Sequence, residues 1–163
     1  MREITDRQLS AFNNFLSNLP HGQDVELVLL KGHILIEKQV RLLINRRLRN
    51  AEVLCEANAE LECHHAIRLA QAFFPPGHLP ALWRALLRLN KMRNDIAHNL
   101  LPRQSLNDQI RDWVQSFPTG FDDMPDKGLA FEMTLWSLFD AVSELVDTPN
   151  AEILQMPFIE SKS

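Results

Sequence analysis

Three residues whose side chains could handle a phosphate lie close together just past the middle of the sequence: Arg93, Asn94 and His98. If this stretch is helical, Asn94 and His98 share one face, because they are four residues apart. Arg93 and His98 would lie about 140° apart around the helix and about 7.5 Å apart along it. A long guanidinium side chain can swing across that separation, so the two heads could converge on one phosphate-sized anion.

The residues around this motif predict a helix with an arginine on its inner face. There is no proline or glycine between Ala81 and Leu100, and an apolar stripe with helical spacing runs through Leu82, Leu86, Leu89, Ile96 and Leu100. Arg93 falls in the same stripe, where a leucine would be expected. An arginine on the inward face of a helix is costly unless its charge is paired or used. This misfit is the first indication of a site.

The rest of the chain must hold this helix, and its pattern predicts one all-α domain, a bundle of five or six helices. Capping residues, apolar periodicity and helix breakers place helices over about 5–18, 24–48, 59–74, 80–100, 105–116 and 129–146. Thr5 and Gln8 predict a capping box at the first helix, and Asp24 predicts a cap for the second, which should be central and mostly buried. We expect a core over about 5–147 and a loose tail over 149–163.

Length and composition indicate a soluble globular protein with no general affinity for nucleic acid. The chain has 163 residues, of which 45% are hydrophobic, and a net charge of −4. Any nucleic-acid site must therefore be local. Two cysteines, Cys55 and Cys63, cannot make a disulfide framework, and the N-terminus lacks the apolar segment of a signal peptide. We expect a cytoplasmic protein that does not enter the membrane.

The motif reads Arg-Asn-Asp-Ile-Ala-His over residues 93–98 and lies on a late helix of an all-α domain. In this setting it resembles the signature of the HEPN superfamily, and the segment 89–98 looks most like the mannitol operon repressor-like (MltR-like) group. The resemblance implies a helical bundle that forms a homodimer, with the two Arg–His motifs facing each other across the interface. Many members of the superfamily are metal-independent ribonucleases, often toxins or defence effectors. Others, including the MltR-like group, are described as regulators with no demonstrated cleavage.

If the chain cleaves RNA, each motif residue has a plausible role. His98 would act as base on a ribose 2′-hydroxyl or as acid toward the leaving 5′-oxygen, because an imidazole titrates near pH ~6.5. Arg93 would hold the scissile phosphate, and Asn94 would orient either the histidine or the phosphate. The product would be a 2′,3′-cyclic phosphate, and DNA would not react because it lacks the nucleophile. Glu37, with His33 one turn earlier, is a candidate supporting partner for Arg93 or His98.

A purely structural interpretation of the motif stays open beside this one. Arg93 could pair with Glu37 or Asp95, while His98 caps carbonyl groups near the end of its helix. The chain would then be a scaffold or an interaction module, and a non-catalytic MltR-like transcriptional regulator is a separate alternative. A toxin would instead have RNA as its substrate and an antitoxin or regulatory protein as its partner.

Three further groups of residues allow both a functional and a structural interpretation. Arg41, Arg46 and Arg47 could follow an RNA backbone, but we prefer the view that they complement a helix C-terminus on a solvated face. The run 62–65 (Glu-Cys-His-His) offers metal-ligand types. Adjacent side chains point in different directions on a helix, and no second half with ligand spacing is visible, so we expect no metal and no cofactor. Core positions are predicted for the three tryptophans, Trp83, Trp113 and Trp136.

Overall fold

The computed structural model describes residues 4–54, 61–99 and 102–159. Within these ranges the chain forms seven α-helices, one short 3₁₀-helix over Ala51–Leu54 and no β-strand. The helices are α1 (Asp6–Asn18), α2 (Val25–Arg47), α3 (Cys63–Ala72), α4 (Pro80–Asn99), α5 (Arg103–Ser116), α6 (Lys127–Asp147) and α7 (Asn150–Gln155). The predicted all-α fold is confirmed, with one helix more than the five or six expected.

The starts of the first two helices are fixed by side-chain caps that can be read from the sequence. At α1, the Thr5 hydroxyl accepts a hydrogen bond from the Gln8 backbone N–H at 3.1 Å. The Gln8 side chain accepts one in return from the Thr5 backbone N–H at 2.8 Å, which completes the predicted capping box. At α2, the Asp24 carboxylate accepts from the Glu26 backbone N–H at 2.9 Å. Both predicted caps are therefore confirmed.

Helix α2 is the central element of the bundle. It packs mainly against α6, and also against α3, α4 and α1. Leu29 and Leu43 on α2 are fully buried. Gly32 allows α6 to come close, because a Cβ atom at this position would lie 2.8 Å from the Leu135 Cδ1 atom. The prediction of a central second helix is confirmed, but the helix is less buried than expected, because nine of its 23 residues are buried and Leu27 and Ile34 are exposed.

Helix α4, which carries the Arg–His motif, is anchored by its first half. The first three members of its apolar stripe are buried: Leu82, Leu86 and Leu89. The Trp113 indole of α5 donates a hydrogen bond to the Ala85 carbonyl oxygen at 3.0 Å, which fixes α4 against α5. Because the first half of α4 packs in the core, it fixes the direction of the second half, which carries the motif.

The tryptophans pack in the interior of the bundle. Trp83 and Trp113 are fully buried, as predicted for core residues, and the Trp83 indole donates to the His78 carbonyl oxygen at 2.9 Å. Trp136 is half-buried, and its ring packs edge-on against Phe12 with 5.7 Å between centroids. The core prediction is confirmed for the first two and holds only in part for Trp136.

The structure departs from the prediction at helix ends and near the C-terminal end. Helix α3 begins at Cys63 after two non-helical residues, and its predicted start at Ala59 lies outside the described residues. Helix α7 falls in the segment predicted to be a loose tail, and its Ile153 is buried against the bundle. A six-residue helix depends on such packing, because isolated helices of this length are unstable in water, so periodicity did not reveal it.

Two observations bear on the expected class of protein. Among the described residues, no helix combines the length and the apolar character needed to cross a membrane. Cys63 is a free thiol that is half-buried, while Cys55 lies outside the described residues.

Candidate active site

A cleft of about 450 Å³ lies between α2, the start of α3 and the second half of α4. It brings together side chains from three separate stretches of the sequence. Its lining residues are His33, Glu37, Arg41, Leu61, Glu62, Cys63, His64, Asn90, Arg93, Asn94 and His98. The three predicted catalytic residues, the two predicted supporting residues and one of the three predicted RNA-contacting arginines therefore line the same cleft.

Arg93 carries a positive charge that no carboxylate of the described residues neutralises in an ion pair. Its guanidinium Nη1 donates a hydrogen bond to the Asn94 side-chain oxygen at 3.0 Å. The two carboxylates that could have paired with it are engaged elsewhere. Asp95 pairs with Lys91 at 2.7 Å, and Glu37 pairs with Arg41 at 2.7 Å. The alternative in which Arg93 pairs with Glu37 or Asp95 is not realised, and the half-buried guanidinium is available to an anion.

His98 lies in the last turn of α4, at the exposed edge of the cleft. It forms no hydrogen bond with the residues that the structure describes, so its ring is open to solvent or to a ligand. Asn94, one turn earlier, uses its side-chain oxygen to accept from Arg93. The amide nitrogen of Asn94 is thereby left as a donor, and this residue orients Arg93 rather than His98.

Glu37 and Arg41 form the wall of the cleft opposite the motif. Glu37 Oε1 accepts two hydrogen bonds from Arg41, from Nε at 3.0 Å and from Nη2 at 2.7 Å. The same Nη2 donates to the Leu61 carbonyl oxygen at 2.8 Å. Arg41 therefore ties α2 to the segment that leads into α3, and the predicted supporting residue Glu37 contacts Arg41 instead of Arg93 or His98.

His33 lies at the inner end of the cleft, buried and bonded to a residue that the sequence reasoning missed. Its Nε2 is 3.1 Å from the Asn90 side-chain oxygen. Burial lowers the pKa of His33, and the positive charge of Arg93 acts in the same direction, while Glu37 and Asn90 oppose this shift. The ring is therefore neutral near pH ~7. One signal could have pointed to Asn90: it lies four residues before Asn94, which itself precedes His98 by four.

Cys63 completes the inner end of the cleft. Its Sγ lies 3.6 Å from His33 Nε2. Burial raises the pKa of the Cys63 thiol to about 12, and the negative charge of Glu37 adds to the effect. A thiol with this pKa stays protonated near pH ~7 and is a poor nucleophile. His33, Glu37 and Cys63 nevertheless bring metal-ligand atoms within 4.8 Å of one another, as do the exposed Glu62, His64 and His65.

The other two arginines of the predicted RNA track lie outside the cleft, against α6 and α7. Arg46 donates to Asp147 Oδ1 at 2.8 Å. Arg47 donates to the Leu145 carbonyl oxygen at 2.6 Å and to the Asn150 side-chain oxygen at 3.0 Å. Both residues stand in the last turn of α2, where a positive charge is favourable.

Comparison with known proteins adds no further constraint on this site. No protein-family model, no curated protein and no solved structure matches the chain. The function of the cleft therefore has to be inferred from its own geometry and charge.

Proposed function

We propose that this chain is a HEPN-type, metal-independent endoribonuclease that works in the cytoplasm as a homodimer. One observation carries the proposal: an arginine that has no carboxylate partner among the described residues shares an open cleft with an exposed histidine. A guanidinium held in this way is a site for a phosphate, since its planar fork of donors matches two phosphate oxygens. An imidazole beside a bound phosphodiester is the group best suited to move a proton near neutral pH.

The proposed reaction is transfer of the phosphodiester to the neighbouring ribose 2′-oxygen. The 2′-hydroxyl loses its proton and its oxygen attacks phosphorus. The bond to the 5′-oxygen breaks, and that oxygen takes up a proton as it leaves. Arg93 stabilises the charge that develops on the phosphate oxygens, and the free amide N–H groups of Asn94 add donors beside it. The products are a 2′,3′-cyclic phosphate and a 5′-hydroxyl, and DNA cannot follow this route.

A homodimer would give the cleft a second His98, whereas His64, the other exposed histidine that lines it, lies 3.5 Å from the Glu62 carboxylate. The reaction needs one group to accept a proton and another to give one. His33 is buried and neutral, and its Nε2 is already bonded to Asn90, so it is unsuited to exchange protons with substrate. With two copies placed motif to motif, the two His98 side chains would share the acid and base roles.

The balance of charge favours recognition over a short stretch of RNA. The chain carries a net charge of −4. Arg41 lines the cleft but is bonded to Glu37, and Arg46 and Arg47 are bonded to residues of α6 and α7. Among the residues that line the cleft, the available positive charge is thus concentrated at Arg93, so selectivity would come from the shape of the RNA near one phosphate rather than from a long backbone track.

A non-catalytic MltR-like transcriptional regulator or interaction module is the second candidate, and one feature favours it. A catalytic base is usually held in place by a further hydrogen bond, whereas His98 has no such partner among the described residues. In this case the cleft would bind a phosphate or an acidic side chain without cleaving anything. As a toxin or defence effector, the chain would instead require an antitoxin or regulatory protein that covers the cleft.

Incubation of the purified chain with structured and unstructured RNAs, in excess EDTA, separates the two candidates. The ribonuclease proposal predicts cleavage that EDTA does not reduce, fragments that end in a 2′,3′-cyclic phosphate, and no cleavage of DNA of the same sequence. A folded dimer that leaves every RNA intact would favour the regulator. Light scattering on the same sample reports whether the dimer is present.

A further inference from the structure

The inner wall of the cleft carries a second chemical feature, formed by His33, Glu37 and Cys63. One ligand atom from each residue lies within 4.8 Å of the other two. His33 and Glu37 are one turn apart on α2, and Cys63 is the first residue of α3, so two packed helices supply the set. An imidazole nitrogen, a carboxylate oxygen and a sulfur are the ligand types that proteins use for Zn²⁺.

The hydrogen bonding of His33 leaves one of its ring nitrogens unused. The Asn90 side-chain oxygen can only accept, so its contact with Nε2 at 3.1 Å places the ring proton there. Nδ1 then carries a lone pair, is buried and has no hydrogen-bond partner among the described residues. His33 as a whole is 4% exposed. A buried acceptor without a partner is unusual in folded proteins and calls for an explanation.

The lone pair on His33 Nδ1 faces a carboxylate oxygen of Glu37. Glu37 Oε2 lies 3.7 Å from His33 Nδ1. A carboxylate oxygen and an imidazole lone pair are both acceptors, and they repel each other unless something positive lies between them. With the ring proton on Nε2, a second proton on Nδ1 would place a positive charge on a buried ring, where a charge is disfavoured. A divalent cation would satisfy both atoms at once, and the Cys63 sulfur, which lies 3.6 Å from Nε2 of the same ring, would have to turn towards Nδ1 to bind the same ion.

Neighbouring side chains already hold the ligands as the outer residues of a metal site do. Of the two carboxylate oxygens of Glu37, Arg41 bonds only to Oε1, so Oε2 stays turned towards His33. Asn90 fixes the tautomer of His33 from the opposite side of the ring. Partners of this kind orient metal ligands in proteins and set which nitrogen binds.

We propose that His33, Glu37 and Cys63 bind a divalent transition-metal ion, with Zn²⁺ as the best match to the ligand set. On binding, the Cys63 S–H bond breaks, a sulfur–metal bond forms, and the proton is released to solvent. The ion joins α2 to α3 and stabilises the inner wall of the cleft. It is not required for the proposed RNA chemistry, which uses Arg93 and His98, so either proposal can fail without the other.

The sequence contains its own controls for this site. Glu62, His64 and His65 form an exposed cluster that could also attract a metal. It lies beside Cys63 in the sequence, so a binding signal has to be assigned to one cluster or the other. A His64→Ala/His65→Ala double variant removes the exposed cluster and leaves the proposed ligands in place. Cys55→Ser, which changes the other cysteine of the chain, is the matched control for Cys63→Ser.

Calorimetric titration of the purified, metal-free chain with Zn²⁺ tests the proposal. We expect one ion per chain, and an affinity that falls at least about tenfold in Cys63→Ser and in Glu37→Gln. The double histidine variant and Cys55→Ser should bind like the wild type. With Co²⁺ as the probe, the wild type should show a thiolate-to-cobalt charge-transfer band that is absent from Cys63→Ser.

Three results would overturn the site. The first is a wild-type chain that binds Zn²⁺ no more tightly than Cys63→Ser. The second is loss of binding in the double histidine variant, which would assign the ion to the exposed cluster. The third is a charge-transfer band that persists in Cys63→Ser and disappears in Cys55→Ser. Circular dichroism checks the fold of each variant. If Glu37→Gln unfolds, the cobalt spectrum of Cys63→Ser still shows whether the Cys63 sulfur binds the ion.

Discussion

Arg93 donates a hydrogen bond to the side-chain oxygen of Asn94, the residue that follows it, at 3.0 Å. This is a neutral partner for a charged group, and no carboxylate of the described residues forms an ion pair with the guanidinium. The carboxylates near it in sequence or space are instead bound to Lys91 and Arg41. The bond fixes the direction of Arg93 without cancelling its charge, and this arrangement suits an anion site better than a structural ion pair.

The first prediction concerns the contrast between Arg93 and Arg41. Arg93→Ala should change the free energy of unfolding by less than about 0.5 kcal/mol, because no ion pair is lost. Arg41→Ala should reduce it by about 1 kcal/mol, since it breaks bonds to Glu37 and Leu61 that are partly screened by solvent. Urea denaturation of the two variants measures both values, and equal losses would show that Arg93 has a structural role after all.

The second prediction concerns the pH dependence of stability that comes from His33. Its pKa is lowered in the folded chain, so below about pH 6.5 the unfolded chain takes up the proton more readily. The stability from the neutral ring is therefore complete above about pH 6.5. It is lost as the pH falls through the lower pKa of the folded state.

A His33→Asn variant tests this effect. The substitution itself changes the stability, so the quantity compared is the change in unfolding free energy with pH and not its value at one pH. Between about pH 7.5 and 5.5, the wild type should lose more unfolding free energy than this variant does. The exposed His65→Asn variant serves as the control for replacing a histidine by an asparagine. Identical slopes for wild type and His33→Asn would contradict a lowered pKa for His33. The comparison of slopes also removes the contributions of other titrating groups, such as His21 and His78.

The third prediction concerns Asn90, which is 5% exposed and accepts from His33. Asn90→Ala should reduce the free energy of unfolding by about 2 kcal/mol, because it leaves a buried ring N–H without its acceptor. Asn94→Ala, on the same helix and half-buried, should cost less than about 1 kcal/mol. Chemical denaturation of both variants measures the difference. A loss for Asn90→Ala no larger than that for Asn94→Ala would mean that the His33 contact contributes little.

The fourth prediction compares two arginine–carboxylate pairs that have the same closest distance of 2.6 Å. Arg7 binds Asp147 and also the Ser143 hydroxyl and carbonyl, and its side chain is 21% exposed. Arg7→Ala should destabilise the chain by about 2 kcal/mol, because several bonds between α1 and α6 are lost. Among the described residues, Arg103 pairs only with Asp24, and its side chain is 69% exposed, so Arg103→Ala should have almost no effect. Thermal unfolding of the two variants ranks them.

Local features of this fold could be predicted from the sequence, and features that join distant segments could not. The capping box of Thr5 and Gln8, the cap at Asp24 and the buried stripe on α4 each depend on residues within a few positions of one another. The His33–Asn90 and Arg41–Leu61 bonds join residues 57 and 20 positions apart. Such pairs depend on how helices pack, which periodicity does not specify.

In the candidate site, too, residues that are close in the sequence could be predicted, and contacts between distant residues could not. Arg93, Asn94 and His98 could be named because they lie within six residues on one helix, and Glu37 and His33 because they are one turn apart. No second group of metal-ligating residues is visible near Cys63 in the sequence. The residues that lie near it in the fold, such as His33, come about thirty positions earlier, on α2. The sequence could not show that Glu37 bonds to Arg41 and leaves Arg93 free, since several pairings of these charges are compatible with helical spacing.

The most direct test of the proposed function is the rate of RNA cleavage in excess EDTA by Arg93→Ala and His98→Ala. Their matched controls are Arg88→Ala, an exposed arginine on the same helix, and His65→Ala, an exposed histidine on α3. Loss of a phosphate-binding donor or of a proton-transfer group should slow cleavage at least about 100-fold, with the fold retained and both controls unchanged. Cleavage by the wild type that survives in Arg93→Ala and His98→Ala, or no cleavage by any of these chains, would contradict the assignment of this cleft as a ribonuclease site.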